Sequence, residues 1–125
     1  MTLEERVQHW IVTRIGVKYA YRRERAMRLL EEAIELAQAE GITEEMVNRQ
    51  TRHVFSRPAG EPDQEAAGVG VCFAGWCAAT GHSMVSLTLR EVERIEAKPL
   101  GQIRGSLARK QDADLVTAIP SEESR

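Results

Sequence analysis

The sequence has no basic excess, no zinc-like cysteine spacing, no apolar run of membrane length and no stretch alternating with period two. Its 17 Lys and Arg face 19 Asp and Glu, a net charge of -2, so the basic footprint of non-specific nucleic-acid binding is missing. Only two cysteines occur, Cys72 and Cys77. On one helix they point about 140° apart; they cannot pair with each other, and no zinc pattern has their spacing. Both are expected to be buried free thiols. The amino terminus, MTLEERVQHW, is charged and lacks a signal-type apolar stretch, so a cytosolic chain is expected. The uncharged run at 66–80, AAGVGVCFAGWCAAT, spans about 22 Å as a helix, short of the roughly 20 residues that cross a bilayer. Without period-two alternation, the expected fold class is all-α.

A chain of 125 residues is expected to form one domain. Thr2 with Glu5 reads as a capping box opening a first helix with Val7, Trp10, Ile11 and Ile15 on its apolar side, closed by Gly16. A second helix is expected from about Arg22 to Glu40, closed by Gly41. Thr43 opens a third, with Met46, Val47, Val54 and Phe55. Residues 56–64 hold two prolines and a glycine and read as a loop leading to Glu65. The uncharged run then forms a core helix ending at Gly81. Ser83 caps a fifth helix to about Lys98, and Pro99 separates it from a last one reaching about Lys110. The expectation is a compact bundle of five to six helices over 1–111 with a flexible tail over 112–125. A helix apolar on every face must be wrapped on every face. Neighbouring helices or a second subunit have to do this, and a homodimer or dimer of dimers is expected.

Chemistry concentrates in the second helix. Leu29, Leu30, Ala33, Ile34, Leu36 and Ala37 fall on one side of a helical wheel, and Glu31, Glu32 and Glu35 gather within an arc of roughly 100° on the other. Like charges at i,i+3 and i,i+4 repel by a few tenths of a kcal/mol unless a cation lies between them. One reading is a solvated amphipathic face with Arg28 as partial neutraliser. The sharper one is a magnesium site, since that ion takes carboxylate oxygens. Glu65, at the head of the uncharged run, is the second carboxylate source the sharper reading needs. His9, His53 and His82 have no metal-ligand spacing.

With Glu31-Glu32-x-x-Glu35 on one helix and Glu65 opening a small-residue helix, the chain resembles the MazG-like all-α nucleoside triphosphate pyrophosphohydrolases. The likeness is greatest to short phage- and prophage-type members and runs over about residues 3–111, through LEERVQHW, RLLEEAIEL, RPAGEPDQE and RIEAK…ARKQ. The resemblance implies a magnesium-dependent hydrolase acting at the α-phosphorus of a nucleoside triphosphate, with no nucleic-acid or membrane partner. It implies metal binding by Glu32, Glu35 and Glu65, with Glu31 and Glu35 in catalytic roles. Arg94 and Lys98 would contact phosphates. Gln8, His9, Trp10 and Trp76 would be candidates for the base, although packing in the core is the alternative for both tryptophans. The family's aspartate three residues beyond Glu65 is Gly68 here. Asp63 or Glu61 would be the nearest substitutes. This departure keeps a second reading open, a degenerate nucleotide-binding or regulatory module without hydrolysis.

Overall fold

The computed structural model describes residues 1–117. Six α-helices follow one another among them: α1 Leu3–Trp10, α2 Arg22–Ala39, α3 Glu44–Phe55, α4 Pro62–Thr80, α5 Met84–Glu96 and α6 Leu100–Asp112, with no strand. The all-α expectation holds. The helix boundaries are set by local chemistry. Thr2 and Glu5 exchange side-chain-to-backbone hydrogen bonds of 3.1 and 3.2 Å, closing the capping box at α1. Thr43 accepts from the Met46 amide and Ser83 from the Ser86 amide, which starts α3 and α5.

The first helix runs to its expected end at Gly16, but its last part widens into a π turn over Ile11–Ile15, where Gly16 N–H reaches the Ile11 carbonyl at 2.9 Å and takes φ 135°. One boundary departs from the expected ones. Helix α4 begins at Pro62 rather than after the loop. Proline at a first helical position gives up an amide that has no partner there anyway, so the helix opens earlier and places Glu65 in its first turn. It ends at Gly81, whose φ of 73° lets His82 N–H bond the Cys77 carbonyl at 2.8 Å.

The core lies where the two ends of the chain meet. Ile11, Tyr19, Val92 and Ile103 are buried there, with α1 packed on α5 and α6 against the π turn. Polar contacts fasten the same elements. Trp10 Nε1 donates to the Ile95 carbonyl at 3.2 Å, Arg14 donates to the Lys98 carbonyl at 2.6 Å, and Gln111 donates to the Tyr19 hydroxyl at 2.9 Å. Arg6 grips Glu96 through both carboxylate oxygens.

At the start of α2, Glu24 is 1% exposed. It accepts from the Thr117 backbone amide at 2.7 Å and from its hydroxyl at 3.1 Å, and pairs with Arg28 at 3.4 Å. Arg28 also donates to the Leu115 carbonyl. The tail expected from Asp112 is therefore anchored as far as Thr117; its remainder lies outside the described residues.

Helices α3 and α4 differ from this half. No residue of α3 is buried, and Cys77 alone is buried in α4. Among the described residues the wrapping expected around the uncharged helix is incomplete: α4 touches α5, while Val69 and Val71 stay exposed. Cys72, expected to be buried like Cys77, is exposed for the same reason.

Candidate functional site

One face of α2 looks across a cleft toward α5 and α6. Glu31, Glu32 and Glu35 line one wall, spaced so that helical geometry sets them side by side. Glu91, Arg94 and Lys98 enter from α5, and Ser106, Arg109 and Lys110 from α6. The cavity measures about 450 Å³, and Leu115 forms part of its rim. Its position follows from the core: packing of α5 and α6 beside the first helix turns their basic residues toward the acids of α2.

The acids differ in how well they are matched. Glu31 lies 3.5 Å from Arg28 and 3.7 Å from Lys110. Glu91 is held below the usual carboxylate range, first by hydrogen bonds of 2.7 and 2.6 Å from Arg94, then by the charges of Arg94 and Lys98. Glu32 moves the other way. Partial burial of its carboxyl, followed by the charges of Glu35, Glu31 and Glu91, pushes it above the usual range, and Lys110 offsets this only in part. Neither Glu32 nor Glu35 has an ion pair or hydrogen bond among the described residues. An acid crowded by three others, with no cation of its own, is a place where positive charge is favoured.

Of the residues singled out from the sequence, Glu31, Glu32, Glu35, Arg94 and Lys98 share this cleft. Glu65 does not line it. Its carboxylate folds back over the loop instead, close enough that a Cβ on Gly60 would lie 2.7 Å from Oε1. Helix α4, which carries it, packs on α5. Among the described residues no three Asp, Glu, His or Cys side chains gather closely enough to enclose a metal ion by themselves. Magnesium, however, is commonly held by one or two carboxylates together with the phosphates of its substrate. The two open carboxylates of Glu32 and Glu35 suit that mode.

The base candidates separate. Trp10 belongs to the core contact with α5, and Gln8 and His9 are exposed on α1. Trp76 donates to Glu40 at 3.2 Å at the far end of α2 and is stacked between Phe73 and His82, with centroids 6.4 and 5.6 Å away. None of the four lines the cleft. Sequence reasoning passed over Glu91 and Ser106 and did not place Arg109 and Lys110 at the site. Glu91 was detectable as the i−3 neighbour of Arg94 on one helical face. The α6 residues carried no such signal, because only the tertiary fold turns them toward α2. Comparisons with protein-family models, curated proteins and solved structures return no match.

Proposed function

We propose that the cleft binds a nucleoside triphosphate with magnesium and hydrolyses it at the α-phosphorus, giving nucleoside monophosphate and pyrophosphate. The observation that carries this reading is the pairing of an acidic wall lacking counter-charge, at Glu32 and Glu35, with a basic wall at Arg94, Lys98, Arg109 and Lys110. A polyphosphate alone is repelled by the first wall and attracted by the second. A polyphosphate carrying a divalent cation satisfies both.

Glu32 and Glu35 would hold the magnesium, which supplies neutralisation of phosphate charge and a more acidic water. The basic residues of α5 and α6 take the β- and γ-phosphate oxygens by charge-assisted hydrogen bonds. Arg94 has to loosen its grip on Glu91 to do so. Glu31, already tethered by Arg28 and Lys110, positions its neighbours and orients the attacking water. Water adds to the α-phosphorus while the bond to the α–β bridging oxygen breaks, and that oxygen leaves with pyrophosphate.

The direct test is pyrophosphate release from a panel of canonical, deoxy and modified triphosphates, with and without magnesium. Glu35→Gln is expected to lower kcat by at least about 100-fold, the scale for loss of a group acting in the transition state. Lys98→Ala is expected to act mainly on KM. Absence of turnover with every triphosphate overturns the hydrolase reading. A non-hydrolysing nucleotide-binding module is favoured by Gly68 and by the position of Glu65 outside the cleft; saturable nucleotide binding without pyrophosphate release identifies it.

A further inference from the structure

The segment after α6 is attached by polar contacts more than by burial. Asp114 takes φ 58°, and the chain reverses there. Asp114 N–H bonds the Gln111 carbonyl at 3.1 Å and Leu115 N–H bonds the Lys110 carbonyl at 2.9 Å, the paired bonds of a Schellman turn. The reversal lays residues 113–117 on the first half of α2 as a strap. Leu115 reaches the cleft rim yet is 42% exposed. What holds the strap is the Arg28 bond to the Leu115 carbonyl and the two bonds from Thr117 to Glu24.

The same side chains reach the cleft. Arg28 is 16% exposed and lies 3.4 Å from Glu24 and 3.5 Å from Glu31. Its Nε and Nη1 are nevertheless buried without a hydrogen bond among the described residues, whereas Nη2 donates to the Leu115 carbonyl. A buried donor left unmatched is unfavourable, so the strap is what fixes this guanidinium in place. On the other side of Glu31, Lys110 lies 3.7 Å away and donates to Ser106 at 3.2 Å, while its carbonyl belongs to the turn that begins the strap. Glu31 is thus shared between a cation pinned by the strap and a cation of the basic wall.

We propose, resting on the phosphate reading of the cleft, that residues 113–117 form a latch: its docking and the filling of the cleft by a magnesium-bound phosphate chain stabilise each other. Phosphate oxygens draw Lys110 away from Glu31. Glu31 then turns to Arg28 and offers Nη1 the acceptor it lacks, which steadies Arg28 beneath Leu115. In reverse, a docked strap keeps a cation beside Glu31 and so lowers the negative charge that the phosphates approach. It also holds Lys110 at the wall through the turn. By linkage the ligand strengthens the latch by the same factor that the latch strengthens the ligand.

The test uses the full chain with magnesium and inorganic tripolyphosphate, a probe that requires no turnover. Amide exchange at Leu115 and Thr117 is expected to slow by about tenfold when the probe saturates the cleft. Two substitutions release the latch at different points. Thr117→Pro removes both donors to Glu24. Asp114→Val forces a β-branched residue into a positive φ and alters neither Glu24 nor Arg28. Each is expected to weaken the probe's Kd by about fivefold or more. Thr117→Pro can fail to fold around Glu24, and Asp114→Val with the wild-type exchange then decides. Exchange at both amides that is unchanged or faster with the probe, or wild-type affinity in Asp114→Val, would each overturn the latch and leave the phosphate site standing. A wild-type chain that does not bind the probe would overturn the cleft reading and the latch together.

Discussion

The two halves of the molecule solve the problem of apolar burial differently. Where the ends of the chain meet, α1, the turns that follow it, α5 and α6 interlock through buried Ile11, Tyr19, Val92 and Ile103, and several hydrogen bonds join residues more than 80 positions apart. In the middle, α3 and α4 carry well-capped, regular helix and almost no burial. The contrast shows that forming a helix and burying it are separate achievements. Caps and composition secure the first within one chain. The second depends on what lies alongside.

Substitutions can break or sharpen this contrast. The largest effect is expected at Glu24, where Glu24→Ala removes both hydrogen bonds to Thr117 and leaves Arg28 without its buried partner. Urea unfolding is expected to show a loss of about 3–5 kcal/mol. Ile103→Ala opens a cavity in the same half and is expected to cost about 2–5 kcal/mol. Val71→Ala is the sharpest comparison. In an uncovered α4 it would change stability by less than about 0.5 kcal/mol, but beneath a second copy it is expected to cost about 1.5 kcal/mol per chain, and the loss should depend on protein concentration.

A smaller effect is expected in the cleft, with the opposite sign. Folded Glu32 binds its proton more tightly than the unfolded chain does, because of partial burial and the neighbouring acids. Its ionisation therefore weakens the fold progressively as pH rises from the unfolded-state pKa through the folded one. Glu32→Gln is expected to raise ligand-free stability at pH 7 by a few tenths of a kcal/mol, read as a higher melting temperature, with the gain fading in acid. The smallest change is expected at Arg52 on α3, whose pair with Glu45 is 65% and 63% exposed; Arg52→Ala is expected to alter the denaturation midpoint by no more than about 0.5 kcal/mol.

Much of the fold was legible in the sequence because helix ends are written locally. Thr2, Thr43 and Ser83 announce helix starts through a side-chain oxygen placed before an amide, and Gly16 and Gly81 announce ends through a backbone conformation other residues resist. Half of the cleft was legible for a similar reason: Glu31, Glu32 and Glu35, and separately Arg94 and Lys98, each share one helical face. What local pattern does not encode is which helix faces which. That is why Arg109 and Lys110 were not placed at the cleft, why Glu65 was expected beside Glu32 and Glu35, and why Cys72 was expected to be buried. The misplacement of Glu65 and the exposure of Cys72 have the same origin, since both lie on α4, whose packing partners no local pattern encodes.

The bond between Glu24 and Thr117 gives the carboxyl end of the chain an influence out of proportion to its length. Proteolysis just before Thr117 would strand a carboxylate inside the protein at the root of the helix that bears Glu31, Glu32 and Glu35, and would also free the Leu115 rim.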